Sequence, residues 1–136
     1  MYSLRVSSFL RRILFADAAT CIAAGLLMML GSDRLGQYLG LPQALLSYAG
    51  ISLLPFTAFL IYIATRENLS PAVVWTVIVL NLLWTIDSIL LLFSGWVTPT
   101  EPGYLFVIAQ AAGVAVFAAL EYFGLRKSTT AIVVPT

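Results

Sequence analysis

Residues 70–96 read SPAVVWTVIVLNLLWTIDSILLLFSGW, and this stretch decides the fold. Its apolar run is long enough to cross the roughly 30 Å hydrocarbon layer of a bilayer. Ser70 and Pro71 predict a helix start, because serine caps helices and proline fits their first turn. Polar groups in hydrocarbon are costly unless they find partners, so other helices must supply them. The polar residues inside the segment are Asn81, Trp84, Thr85, Asp87 and Ser88.

The composition of the whole chain is that of an integral membrane protein. Of its 136 residues, 61% are apolar and only 10% are charged, and the mean hydropathy is +1.00. A soluble domain carries about 25% charged residues, so this chain has too few to cover a water-facing surface. The net charge is +1, without a basic face interleaved with aromatic residues. We therefore predict contact with a lipid bilayer and no nucleic-acid partner.

The chain contains one cysteine and no histidine, which limits its chemistry. An intrachain disulfide is excluded, and the usual zinc, haem and copper ligand sets are hard to assemble, so we predict no metal and no cofactor. Cys21 lies among small and apolar residues and is interpreted as a packing residue. The chain lacks a Ser/His or Cys/His pair, a glycine-rich phosphate loop and an intramembrane lysine. We therefore expect that the protein is not an enzyme.

Four apolar segments predict four membrane spans in a single domain, residues 1–127, followed by a loosely ordered cytoplasmic tail, residues 128–136. The short connection 65–69 predicts that the second and third spans are antiparallel neighbours, and Pro55 is expected to kink the second. Ser32 is expected to cap a short surface helix that ends at Gly40. The predicted spans are about 12–30, 43–64, 71–94 and 104–124.

The basic residues predict the orientation of the spans. If the N-terminus is cytoplasmic, six basic residues lie on that side and only Arg34 lies outside. Basic residues in short loops favour the cytoplasmic side. The predicted fold is an all-α transmembrane four-helix bundle, up-down-up-down, with both termini in the cytoplasm. The six residues are Arg5, Arg11, Arg12, Arg66, Arg126 and Lys127.

Two carboxylates are predicted at matching depth. Asp17 lies five residues inward from Arg12, and Glu121 five residues inward from Arg126, which is roughly 7–8 Å along each helix. In one interpretation the two acids face each other and bind a proton or a cation. In the other, each acid reaches toward the interface and pairs with the neighbouring basic residues. The sequence leaves both open.

Asp87 is a third candidate, because it lies deep in the third span without a basic residue nearby. We weigh a site facing a polar cavity against a structural acid. Gln110 comes to a similar depth on the fourth span and is expected to donate a hydrogen bond to Asp87. Asn81 is interpreted as an interhelical hydrogen-bonding residue. Trp84 either lines an apolar cavity or fills the bundle, like Trp75, Phe56 and Phe59.

Small residues recur every four positions on two spans, where they let helix backbones approach closely. This pattern predicts packing within the chain, in a homodimer, or against a larger membrane partner. The residues are Ala16, Thr20 and Ala24 on the first span, and Ala111, Ala115 and Ala119 on the fourth.

Several short runs resemble those of small, uncharacterised bacterial four-span membrane proteins: ADAATC (16–21), YAG (48–50), LPF (54–56), NLLW (81–84) and AQA (109–111). The resemblance implies a bacterial inner-membrane location and no established activity. The chain is also similar in size to the small multidrug-resistance transporters, dimeric four-span antiporters with an acidic residue in the first helix. Asp17 corresponds to that residue by location only, because its surroundings depart from the family motif and the family residue is glutamate.

Two functions follow from these observations. The first is a small transport or ion-coupling protein whose intramembrane acids bind a proton or a cation. The second is a non-catalytic accessory subunit that packs against a larger membrane complex. The candidate binding residues are Asp87, Asp17, Glu121, Asn81, Gln110 and Trp84.

Overall fold

The computed structural model describes residues 2–132, which form five helices and three short strands. Four of the helices are long and apolar enough to cross a membrane, which confirms the predicted all-α four-span fold. The helices are α1 (Ser8–Leu30), α2 (Ser32–Leu39), α3 (Gln43–Ala64), α4 (Pro71–Phe93) and α5 (Glu101–Lys127). The strands are β1 (Tyr2–Arg5), β2 (Asn68–Leu69) and β3 (Thr129–Ile132).

Capping residues determine where α1 and α5 begin. Both helices are longer than predicted. The Ser7 side chain accepts a hydrogen bond from the Leu10 N–H at 3.1 Å, so α1 begins at Ser8, four residues before the predicted span. Thr100 accepts one from the Gly103 N–H at 3.2 Å, so α5 begins at Glu101. Pro71 is the first residue of α4, as the sequence predicted.

The long helices pack as two antiparallel pairs, α1 with α3 and α4 with α5, and contacts between α1 and α5 join the pairs. Gly25 and Gly50 allow the close approach of α1 and α3. A Cβ atom at Gly50 would lie 2.6 Å from the Gly25 carbonyl oxygen, closer than packing permits. The predicted stripe on α1 is not the contact, because Ala16 and Thr20 are exposed.

The second and third spans do not form the close pair that their short connection predicted. They run antiparallel, but α3 packs mainly on α1 and α4 mainly on α5. The reason is the glycine contact, which holds α3 against α1 and leaves bulky side chains between α3 and α4. Phe56 of α3 and Trp84 of α4 both border a cavity there.

At one end of the bundle, the strands form a sheet in the order β2-β1-β3. Both pairings are antiparallel, with Leu4 opposite Leu69 on one side and Thr130 on the other. Residues 129–132 therefore form a strand, in contrast to the predicted loosely ordered tail, whose residues 133–136 lie outside the described residues. The β-branched residues of this segment favour an extended strand. The sheet therefore places the start of α1 and the end of α5 at the same end of the bundle.

At the opposite end, α2 lies against the start of α5. Thr100 donates from its hydroxyl to the Tyr38 carbonyl at 2.8 Å, and its N–H donates to the Leu39 carbonyl at 3.0 Å. Gly40 ends α2 in the left-handed conformation with φ of 68°, as predicted for this glycine. The predicted Ser32 cap is wrong, because Gly31 is the capping residue and Ser32 is the first residue of the helix.

The outer surface of the helices is apolar and the buried interior contains carboxyl groups, the reverse of a soluble protein. Phe93 and Trp96 are 83% and 86% exposed, whereas Asp17 and Glu121 are buried. Large apolar side chains on an outer surface are suited to contact with lipid chains. This distribution agrees with an integral membrane protein.

Candidate functional site

Asp17 of α1, Asn81 of α4 and Glu121 of α5 meet in the bundle interior, and we call these three residues the acid centre. Their exposed fractions are 2%, 3% and 0%. The Asn81 Nδ2 atom donates to Asp17 Oδ2 at 3.0 Å and to Glu121 Oε1 at 2.6 Å. One amide group therefore uses both of its hydrogens to hold two carboxyl groups from different helices.

Residues one turn away along the helices support the acid centre. The Cys21 thiol, four residues after Asp17 in α1, donates to Asp17 Oδ1 at 3.4 Å. The Thr85 hydroxyl, four residues after Asn81 in α4, donates to the Asn81 carbonyl at 3.0 Å. Residues four apart share a helix face, so these contacts follow from the sequence spacing.

The basic residues near the ends of α1 and α5 make other contacts. Arg11 donates to the carbonyl oxygens of Ala64 and Arg66 at 3.0 and 3.1 Å. Lys127 Nζ lies 4.4 Å from the centre of the Phe9 ring, and Arg126 lies over the ring of Tyr122. Of the two interpretations of Asp17 and Glu121, the geometry favours the one in which the acids approach each other.

The acid centre has too few hydrogen-bond donors to compensate two ionised carboxylates. Two ionised carboxylates on one amide group in a buried setting repel each other, which disfavours ionisation of both at once. Within residues 2–132, the Glu121 Oε2 atom is buried and lacks a hydrogen-bond partner. A shared proton or a bound cation would relieve the repulsion and supply that partner, so the arrangement can take up either.

A cavity of about 460 Å³ lies beside the acid centre and is bounded by α1, α3, α4 and α5. Asp17 and Asn81 form part of its wall, whereas Glu121 is not among the lining residues. Most of the remaining lining is apolar, with four aromatic side chains from α3, α4 and α5. These are Phe56, Trp84, Phe106 and Phe117.

A second polar cluster links α4 and α5. The Trp84 Nε1 atom donates to Gln110 Oε1 at 2.7 Å. The Gln110 Nε2 atom donates to the Ser88 hydroxyl and to the Val107 carbonyl, both at 2.9 Å. Both amide hydrogens of Gln110 are therefore used, and the predicted hydrogen bond from Gln110 to Asp87 is absent from the described residues.

Asp87 does not join the acid centre. It is exposed on α4 and lines a second cavity of about 290 Å³ toward the α2 end of the bundle. Four side chains border both cavities, so the Trp84–Gln110 hydrogen bond lies in the wall between them. The shared residues are Met28, Trp84, Phe106 and Gln110.

Sequence reasoning missed two parts of this arrangement. Asn81 forms interhelical hydrogen bonds, as predicted, but the sequence did not identify Asp17 and Glu121 as its partners. Cys21 is a buried core residue, as predicted, but its hydrogen bond to Asp17 was not predicted. The four-residue spacing from Asp17 to Cys21 was the available signal for the second contact. The link through Asn81 depends on how α4 is rotated, which local spacing does not determine.

Comparison with known proteins gives no family for the chain. No family model matches the sequence, and the searches of curated proteins and of solved structures return no match. Within residues 2–132, no group of three or more Cys, Asp and Glu side chains is arranged to hold a metal ion.

Proposed function

We propose that this protein is a small membrane transport or ion-coupling protein, in which the acid centre takes up and releases a proton or a monovalent cation. The observation that carries the proposal is the pair of hydrogen bonds from Asn81 to Asp17 and Glu121. Carboxylates inside a membrane are costly, and those that persist commonly serve ion or proton pathways. The role is one of binding and release, without a catalytic step.

The cavity supports this proposal because it brings open space to Asp17. A carboxylate sealed in the core exchanges a proton only when the protein opens, whereas Asp17 lies on the wall of a 460 Å³ space. Glu121 does not line the cavity and completes the centre. In this scheme Asp17 exchanges the ion with the cavity, and Glu121 and Asn81 hold the compensating hydrogen bonds.

Flux measurements in proteoliposomes test the proposal. Purified protein is reconstituted with an internal pH-sensitive dye, and sodium, potassium and proton gradients are imposed one at a time. We expect wild-type protein to dissipate at least one gradient faster than empty liposomes, and Asp17→Asn and Glu121→Gln to reduce that rate at least tenfold. Glu101→Gln is the matched control, because Glu101 is an exposed acid on the same helix as Glu121. Wild-type rates equal to those of empty liposomes, or unchanged rates in both acid variants, would overturn the proposal.

The proposed location is a bacterial inner membrane with the sheet end in the cytoplasm. Six of the seven basic residues belong to segments at that end, and Arg34 lies in α2 at the other. Positive loops favour the cytoplasmic side. A reporter enzyme that is active only in the cytoplasm, fused after Thr136, should be active, and an inactive cytoplasmic reporter with an active periplasmic one would contradict the orientation.

An accessory role in a larger complex is the second candidate. The observation in its favour is the exposed face of α1, where Ala16 offers a small side chain to the membrane instead of packing inside the bundle. Small residues at a helix surface allow another helix to approach closely. Crosslinking in native membranes through a photoreactive residue at position 16 distinguishes the two: a recurrent heterologous product supports the accessory role, and its absence contradicts it.

A further inference from the structure

We propose that the cavity beside the acid centre binds an organic ammonium ion that carries N–H hydrogens and an apolar body. This inference rests on the proposed function and names the class of ligand that shares the acid centre with the proton or cation. The hydrogen-bonding groups that the cavity wall leaves free for a ligand point to this class.

The polar side chains in the cavity wall have already used their hydrogens. Asn81 donates both amide hydrogens to the acids, and Gln110 donates both to Ser88 and Val107. The Trp84 N–H is taken by Gln110, and the Cys21 thiol by Asp17. The two hydroxyl groups donate to carbonyl oxygens in their own helices, Thr20 to Ala16 at 2.9 Å and Ser52 to Ala49 at 2.7 Å.

The atoms that remain for a ligand are therefore acceptors. In its ionised form the Asp17 carboxylate carries negative charge, and the Asn81 Oδ1 atom and the two hydroxyl oxygens have free lone pairs. A carboxylate or phosphate ligand would find no donor in this wall and would be repelled by an ionised Asp17. A ligand with its own N–H donors and a positive charge matches the wall, because each N–H can bond to an acceptor.

The rest of the lining suits an apolar and cationic body. Phe56, Trp84, Phe106 and Phe117 present aromatic surface, which attracts cations as well as apolar groups. A volume of about 460 Å³ lies within the range of sites for small organic molecules. Aromatic surface alone would accept quaternary ammonium ions equally well, so the preference for N–H hydrogens is the distinctive consequence of the polar wall.

Equilibrium binding of three probes tests the ligand class in the full chain, reconstituted in lipid nanodiscs. The probes are 2-phenylethylammonium, its N,N,N-trimethyl derivative and 3-phenylpropionate, and titration calorimetry is corrected with protein-free nanodiscs. We expect saturable binding of the primary ammonium ion, at least tenfold weaker binding of the trimethyl derivative and none of the carboxylate. Equal binding of both ammonium ions, tighter binding of the carboxylate, or no binding of the primary ammonium ion would each overturn the proposal.

Two variants locate the binding. Asp17→Asn should weaken binding of 2-phenylethylammonium at least tenfold. Gly113→Leu should abolish it without touching the acid centre, because Gly113 lines the cavity and its Cβ position has open space around it. Ala112→Leu is the matched control, since Ala112 precedes Gly113 on the same helix and is exposed outside the cavity. If Gly113→Leu binds as the wild type does, the cavity is not the site, even where Asp17→Asn fails to fold.

This test uses no ion gradient, so its result is separate from that of the flux experiment. Ion flux without ammonium binding would overturn the ligand class and leave the proposed function in place. Ammonium binding without ion flux would support the ligand site and overturn the proposed function.

Discussion

Asp17 and Asp87 are both aspartates in apolar helices, but they differ in burial and in hydrogen bonding. Asp17 is 2% exposed and receives hydrogen bonds from Asn81 and Cys21. Asp87 is exposed, and within residues 2–132 no hydrogen bond holds its side chain. The difference teaches that the environment of a carboxylate in a membrane bundle is set by the partners that other helices bring to it. Depth along its own helix is a poorer guide.

Removing the amide that joins the acids should give the largest effect. Asn81→Leu leaves two buried carboxyl groups without their shared donor, and losing one partner of a buried charged group costs about 3–5 kcal/mol. Unfolding in mixed micelles, followed by titration with a denaturing detergent, measures the loss. Adding Asp17→Asn and Glu121→Gln to this variant should recover part of it, and a triple variant less stable than Asn81→Leu would contradict the role of Asn81.

A double-mutant cycle sharpens the contrast between the two aspartates. Asn81→Ala and Asp17→Asn should couple by about 1–3 kcal/mol, since residues in one hydrogen-bonded network are not additive. Asn81→Ala and Asp87→Asn should be additive to within about 0.5 kcal/mol, because they share no hydrogen-bond partner. The same unfolding measurement on the single and double variants gives both values. Equal coupling in the two cycles would remove the distinction.

The Trp84–Gln110 hydrogen bond in the wall between the cavities should contribute less to stability. Trp84→Phe keeps the aromatic ring but removes the hydrogen bond to Gln110, and such interhelical bonds in membranes are worth about 0.6 kcal/mol on average. We expect a loss of stability of about 0.6–1.7 kcal/mol, measured in the same micelles. Thr76→Val is the control, because Thr76 donates within α4 to the Ala72 carbonyl and is exposed. A cost no greater than that of Thr76→Val would show that the wall is not held by this bond.

Asp87→Asn should have the smallest effect. The side chain is exposed, and substitutions at such positions usually change stability by less than about 0.5 kcal/mol. Proteoliposomes containing this variant should also keep the wild-type flux. A tenfold loss of flux in Asp87→Asn with full activity in Asp17→Asn would reverse the comparison and move the site to the second cavity.

Much of the fold could be predicted from the sequence because it follows from solvent and local chemistry. Long apolar runs give the four spans, Pro71 begins α4, and Gly40 ends α2. The strand at residues 129–132 was missed, because a four-residue strand depends on pairing with β1, far away in the chain. The pairing of helices was missed for a similar reason: a short connection makes α3 and α4 consecutive, but the contact of Gly25 with Gly50 decides which helices pack together.

Three of the six candidate residues, Asp17, Asn81 and Glu121, meet in the acid centre, but the hydrogen bonds that connect them were not predictable from the sequence. Matching distances from the basic residues placed Asp17 and Glu121 at one depth, and the structure brings them together. The partner of each depends on how the helices are rotated about their axes, which determines where Asn81 and Gln110 point. The apolar residues of α4 are spread over nearly every face of the helix, so the sequence carries little information about that rotation.

The sheet has a mechanical consequence for the protein. It ties the chain before α1, the α3–α4 connection and the chain after α5 at one end, while Thr100 holds α2 at the other. Because contacts hold the helices together at both ends of the bundle, a change in its width requires a helix to bend near its middle. Pro55 lies halfway along α3 beside the cavity-lining Phe56, and it lacks the amide hydrogen that stiffens an ordinary turn. We expect backbone amides around Pro55 to exchange with deuterium faster than those near either end of α3. The reverse order would mean that the bundle does not open at Pro55.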